Sequence, residues 1–336
     1  MTELINAYYD NTRLSCYKTC PRQFYFRHIR HWRKKGTSLP LTFGLSWHAA
    51  MDIVWGLLGK ADEQKVFDLA VAKFTETWIA DGLPHPDDMD IEMIAKYEPR
   101  TPMIGAEMLW NYIQHRKEYI ISCDEIISIE QPFAVPLQAG ENCKQYYIGR
   151  IDKVVKRDGR IYPIEHKTTS MFKGRAPDHM LRPDYVEQWS HNSQVDGYLH
   201  ASFMQHGKLV KSILVDAALV HKKTHDIFRF IPVERATAGL DGWVEDAVEW
   251  VDRVEADKKK LEDYRAYRIE VDHASNMPAF PKNTESCQGK YNQTCSYFDL
   301  CRYWDNPEKH DLPPEGMIIE EWNPYELHEI DKLGLK

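Results

Sequence analysis

The stretch "YIGRIDKVVKRDGRIYPIEHKTTS", Tyr147 to Ser170, decides the reading of this chain. It reads as two β-strands joined by a two-residue Asp158-Gly159 turn, the residue pair that hairpin turns favour because both positions need positive φ. If that turn closes the hairpin, Arg157 pairs with Arg160, Lys156 with Ile161 and Val154 with Pro163. Asp152 then faces Glu165, and like charges directly opposed on a sheet repel each other at about 5 Å. Strand alternation puts Lys167 on the same side as Glu165, roughly 6.5 Å along.

A hard divalent cation resolves that conflict. Mg²⁺ is typically held by one or two carboxylates, with water and substrate phosphate filling its other positions, and a nearby ammonium can support charge on a phosphoryl oxygen. The chemistry is that of phosphodiester hydrolysis. The alternative is an exposed hairpin whose Lys153, Lys156 and Lys167 pair with acids across solvent, and a one-residue slip of register would remove the opposed carboxylates.

The 336 residues are 43% hydrophobic and 12% aromatic, enough to bury a sizeable core in one elaborated domain or two. A formal charge of -8 excludes general attraction to a polyanion, so nucleic-acid contact requires a local basic surface. One candidate is "RHIRHWRKKG", where Arg27, Arg30, Arg33, Lys34 and Lys35 surround Trp32. A solvated helix end is the plainer account of the same residues. The opening "MTELINAYYD" lacks the pattern of a signal peptide, and the most apolar window, Leu41 to Gly59, is interrupted by Ser46, His48 and Asp52. A cytoplasmic protein with no membrane span is expected, and its seven cysteines then suggest metal ligands before disulfides.

Along the chain, a helix capped at Asn11 or Thr12 and broken by Pro21 comes first. A helical insertion follows over about 45–121, then a strand-rich core over about 122–235 in which Val186 to Met204 is helical. Leu240, Trp243, Val244, Ala247, Val251 and Val254 mark one face of a long amphipathic helix. A cysteine segment ends near residue 305, and residues 306–336 form a docking tail. Strands interleaved with helices make the fold α/β, or α+β, with residues 1–305 as a single domain.

"GRID" ending at Asp152, followed by "IEHK" with Glu165 and Lys167, resembles the PD-(D/E)XK nuclease signature. "GLSWH" ending at His48, "QVDGY" from Gln194 to Tyr198, and "CPRQFYF" from Cys20 are similar to motifs of its RecB-like branch, which includes CRISPR-associated adaptation nucleases. Taken alone, His48 would be an ordinary helix histidine and Gln194 and Tyr198 an ordinary helix face. The resemblance implies a restriction-endonuclease-like mixed sheet flanked by helices, and a Mg²⁺- or Mn²⁺-dependent DNA nuclease. The activity implied is that of an exonuclease on single strands or duplex ends in recombination, repair or phage DNA processing. It implies His48, Asp152 and Glu165 as metal ligands, with the backbone carbonyl of His166 as a fourth. Lys167 would serve the water and the transition state, and Gln194 and Tyr198 would support the site. The basic cluster around Trp32 would track the strand by charge and stacking.

The resemblance also implies that Cys20, Cys287, Cys295 and Cys301 hold a structural [4Fe-4S] cluster. Zinc is the competitor, although Cys₄ zinc sites usually contain shorter spacings than the seven and five residues found between the last three. Cys16, Cys123 and Cys143 have no matching role. No Gly-x-x-x-x-Gly-Lys-Ser/Thr loop is present, so unwinding would fall to a helicase or recombination partner. Two rivals stand beside the nuclease: a module that binds DNA ends without cutting, and a metal-clipped scaffold.

Overall fold

The computed structural model describes residues 7–36, 38–138, 144–174, 180–267, 276–289 and 294–334. The elements begin with β1 (Ala7–Tyr9), α1 (Asn11–Thr19), α2 (Pro21–Phe24), a π-turn (Tyr25–Ile29) and β2 (Trp32–Lys34). The helices α3 (Leu39–Leu57), α4 (Glu63–Ala80), α5 (Ile91–Tyr97) and α6 (Pro102–Ile121) follow. Next come β3 (Glu125–Pro136), β4 (Gln145–Arg157), β5 (Arg160–Thr169), β6 (Phe172–Lys173), β7 (Met180–Leu181), α7 (Pro183–Glu187) and α8 (Ser193–His206). The chain ends through β8 (Ile213–Leu219), β9 (Phe228–Val233), α9 (Thr237–Tyr267), α10 (Phe298–Tyr303), β10 (Met317–Ile319) and α11 (Pro324–Leu327).

These residues fall into two compact units, one built from residues 1–36, 134–149 and 241–336, the other from 37–133 and 150–240. The second unit is an α/β layer structure. Within it β4 pairs antiparallel with β5, β5 parallel with β8, and β8 antiparallel with β9, a mixed sheet. Asp158 and Gly159 sit at φ 50° and 70°, and the register pairs Arg157 with Arg160, Lys156 with Ile161 and Val154 with Pro163, as the turn chemistry predicts.

One face of this sheet, at Val155, Ile164, Leu214, Ala218 and Phe228, is buried with the helices α3, α4 and α6. Their shared core includes Phe43, Trp47, Trp55, Phe74, Trp78 and Tyr112, all nearly inaccessible. Helix α3 starts at Leu39, before the insertion boundary near residue 45, because Pro40 fits the first turn where no amide bond is lost. Gly105 on α6 lies where an added Cβ would meet the Phe74 ring at 2.7 Å, so the two helices approach through a missing side chain. The helix expected over Val186 to Met204 is interrupted. Asn192 caps α8 by accepting from the amides of Gln194 and Val195, and α7 and a short 3₁₀ turn precede it.

In the first unit α1 is capped by Asp10, whose carboxylate accepts from the Arg13 amide at 2.8 Å, and not by Asn11 or Thr12. The same carboxylate accepts from the Trp322 indole at 2.9 Å, which explains why the acid one residue earlier wins. α2 begins at Pro21, as the break required. β1 pairs parallel with the start of β4, and β2 pairs antiparallel with β10. α9 buries Trp243, Ala247, Val251 and Val254 along one face, with Val244 of the expected stripe half-buried. The segment after 305 docks on its own unit: Glu308 accepts from Tyr25 and Arg265, β10 joins β2, and Ile330 is fully buried. Among the described residues no helix is long and apolar enough to cross a membrane.

Candidate metal and nuclease site

Asp152 near the middle of β4 is 7% exposed, and its carboxylate accepts from the His166 amide at 2.6 Å. His48 Nδ1 on α3 lies 3.2 Å from the same carboxylate. Helix α3 carries His48 past β5 beside Gly44, where an added Cβ would stand 3.8 Å from Thr168, an ordinary contact that does not itself demand glycine.

The third member of this cluster is Glu130, which the sequence reading missed. His48, Glu130 and Asp152 each present a ligand atom within 4.8 Å of the others, an imidazole and two carboxylates, which is a donor set suited to a divalent cation. Glu130 lies in β3 with φ 54°, a left-handed conformation that a non-glycine strand residue rarely adopts and that re-aims its side chain. No local pattern marks it except the Gln131-Pro132 pair that follows. Arg150 pairs with Glu130 at 2.5 Å. Lys153, fully buried, donates to Asp52 at 2.6 Å and lies 4.0 Å from Glu130.

Glu165 is 2% exposed and stands beside the triplet without being part of it. Its Oε1 accepts from Lys167 and, at 3.0 Å, from Gln194 Nε2, while its buried Oε2 has no hydrogen-bond partner. Gln194 in turn donates to the Tyr198 hydroxyl at 3.0 Å. The predicted residues His48, Asp152, Glu165, Lys167, Gln194 and Tyr198 are thus brought together on β4, β5, α3 and α8, in one unit. The backbone of His166 runs through this site, whereas its ring turns away, fully buried, to within 3.4 Å of Asp216 on β8. Asp216 accepts from Arg116 at 2.7 Å and Tyr112 at 2.6 Å, forming a buried polar network behind the acid cluster.

The electrostatics divide the acids. Burial pushes the Asp152 carboxyl up, but His48, Lys153 and His166 outweigh it and hold Asp152 well below the usual range. Burial and the Asp152 charge together push Glu165 up to about 7 against the pull of Lys167 and His48. Glu130 is pushed up to about 7 by burial, Asp152 and Asp52 against Arg150 and Lys153. Burial lowers His48, yet Asp152 and Glu165 raise it overall. Lys167 is likewise raised, because Glu165 and Asp152 overcome its burial. Acids that resist losing their protons beside an acid that has lost its own are short of positive charge. That charge is what a cation supplies.

The basic cluster divides differently. Trp32 is 1% exposed, stacked between Phe26 and the Trp304 edge with the Arg30 guanidinium 4.4 Å from its ring, so its expected role as a stacking platform for a strand is corrected to a core role. Arg30 donates to the carbonyls of His310 and Asp311 and lies 3.6 Å from Glu308, and Arg33 pairs with Glu320. Lys34 and Lys35 are exposed.

Cys20, Cys287, Cys295 and Cys301 line one cavity of about 380 Å³ in the first unit. None of the four is in a disulfide, and Cys20 accepts from the Asn283 amide at 3.4 Å. Burial pushes the Cys301 thiol up to about 11. Cys16 is pushed to about 12 and Cys123 to about 11, again by burial, and Cys143 falls outside the described residues.

No curated protein matches the sequence. Among solved structures, the chain is similar to a crystal structure from Eubacterium rectale described as that of a candidate exonuclease. The two share 15% identity over 87% of this chain and 92% of that one, with a TM-score of 0.38. The profile of the PD-(D/E)XK nuclease superfamily matches residues 11–302, nearly the whole sequence and every element that builds the acid cluster, and the chain belongs to that superfamily.

Proposed function

We propose that this protein is a Mg²⁺- or Mn²⁺-dependent deoxyribonuclease of the RecB-like branch, acting as an exonuclease at single strands or duplex ends in recombination, repair or phage DNA processing. The observation that carries this reading is the convergence of His48, Glu130 and Asp152 within 4.8 Å, beside the unpartnered Oε2 of Glu165 and the Lys167 ammonium. Nucleases of the superfamily use divalent metals, and the donors here fit one. His48, Asp152 and Glu130 would hold it, together with Glu165 and the backbone carbonyl of His166. Bound there, the ion would lower the pKa of water and neutralise phosphate charge.

The chain's own groups do the rest. Lys167, which donates to Glu165, would donate toward the attacking water or a phosphoryl oxygen. Gln194 fixes the Glu165 carboxylate, and Tyr198 fixes Gln194. The burial of Asp152 and Glu165 keeps bulk water from screening these charges. In the same reading Cys20, Cys287, Cys295 and Cys301 would hold a [4Fe-4S] cluster, with zinc as the alternative. Their shared cavity supports a common ligand, and metal analysis of anaerobically purified protein identifies it. A helicase or recombination partner would supply unwound strands.

End-labelled single-stranded and duplex DNA, incubated with Mg²⁺, with Mn²⁺ and with EDTA, tests the activity. Cleavage that needs the ion and falls at least about 100-fold in Lys167→Ala supports it. Binding without cleavage under every condition would establish the rival, a module that holds DNA ends without cutting.

A further inference from the structure

The first unit contains a second cavity of about 300 Å³, separate in its lining from the acid cluster. Arg27, Arg33 and Lys34 line it together with His28, Thr12 and Ser296, and none of its lining residues is a carboxylate. Arg33 is already answered by Glu320 and by the Gly36 carbonyl. Arg27 rests 5.8 Å from the Trp322 ring, and its Nη1 is buried with no hydrogen-bond partner. His28 is 3% exposed, and neither of its ring nitrogens has a partner.

A buried imidazole with both nitrogens unanswered costs stability unless something binds there. Burial, and after it the charges of Arg13, Arg27 and His31 against that of Asp10, pushes His28 down to about 3. An anion answers the unpartnered Arg27 Nη1 and one imidazole N–H of His28, and it accepts from the ammonium and the hydroxyls as well. A tetrahedral phosphate oxyanion, with several acceptors and a charge that delocalises over them, suits a site with forked and point donors.

We propose that this cavity binds a phosphate group of a nucleic-acid strand, held by Arg27 and Lys34 with His28 and Thr12 completing the shell. The identity of the ligand rests on the nuclease reading; the presence of an anion site does not. Lys35, exposed and outside the lining, takes no part.

The test uses the full chain in EDTA, so that no cutting occurs. Anisotropy of a labelled single-stranded oligonucleotide, with a 5′-phosphate or a 5′-hydroxyl, is measured across salt concentrations, and inorganic phosphate is added as competitor. Arg27→Gln with Lys34→Gln should weaken binding about tenfold. It should also flatten the salt slope by about 1.4, or about 0.7 per lost contact. Because Lys34 is exposed on a short strand, Lys34→Gln alone is compatible with folding and should remove about 0.7 of the slope. Unchanged affinity and slope in these variants overturns the proposal. Altered iron or zinc content with unchanged binding overturns it too, because the charges would then serve the cysteine cavity. Binding of inorganic phosphate without binding of either oligonucleotide overturns the assignment to a strand. Wild-type protein that binds strands but cleaves none refutes the nuclease reading and leaves the phosphate site standing.

Discussion

Asp216→Ala should be the most destabilising substitution near the acid cluster, although Asp216 is outside the metal triplet. Its side chain is 1% exposed and that of Arg116 is 8% exposed, with 2.7 Å between the paired atoms. Removing one partner of such a pair strands the other charge and costs about 3–5 kcal/mol. Loss of the acceptor also strands the Tyr112 O–H, because the Trp55 indole donates to that hydroxyl at 3.0 Å and cannot accept from it, so the penalty grows. Arg116 can fall back on the Phe230 ring, 3.6 Å below its guanidinium, for a partial return of about 1–2 kcal/mol. The expected net loss is therefore about 3 kcal/mol. Urea unfolding followed by tryptophan fluorescence measures it, with Arg116→Met, Asp216→Leu and the double variant completing a cycle. The double variant should recover most of the loss, because an apolar pair leaves no charge unpaired. A single substitution costing under about 1 kcal/mol, or a double variant costing the sum of its parents, refutes the reasoning.

Trp32→Ala should cost about 3–5 kcal/mol of stability, read by the same unfolding curves, because the ring is core; a fall in strand affinity of the folded variant with no loss of stability would restore the stacking role. Gly105→Ala should lower the melting temperature, since Phe74, 1% exposed, has no room for the added methyl: overpacking of about 1–3 kcal/mol exceeds a helix-propensity gain of about 1. A stabilised variant would show that the ring yields freely. His28 is depressed to about 3 in the folded chain by burial, so the unfolded chain takes up its proton first as pH falls below about 6.5. Stability should therefore decline from pH 6.5 to about 3, by up to about 1.4 kcal/mol per pH unit from this residue. His28→Gln should flatten that limb, and an unchanged acid profile would contradict the burial argument.

The hairpin was legible because its two determinants are local: a turn that only certain residues can make, and an alternation that fixes which side chains share a face. Asp152, Glu165 and Lys167 followed by counting. His48, Gln194 and Tyr198 were legible only through resemblance, because nothing in a helix sequence says which strand it will meet. Glu130 was illegible for a different reason. Its place depends on a backbone conformation at one residue, φ 54°, that strand propensity argues against. Trp32 misled because an aromatic among cations looks the same whether the cations face solvent or cover the ring. Only the long-range partners Trp304 and Tyr297 settle it, the second by donating to the Trp32 carbonyl at 2.6 Å. The cap at Asp10 depended likewise on Trp322, more than 300 positions away.

The first unit is sewn together from stretches at opposite ends of the polypeptide, as the Arg22 bond to the Phe280 carbonyl across 258 positions illustrates. During synthesis at about 5–20 residues per second, the N-terminal helices must wait roughly 13–50 s for those partners to leave the ribosome. Through that interval Phe24, Tyr25 and Phe26, which finish with no exposed surface, have only near neighbours such as Tyr17 and Trp32 to cover them. Yield in cells should therefore depend on chaperone supply and on translation speed through the middle of the message, more than on the equilibrium strength of the finished protein.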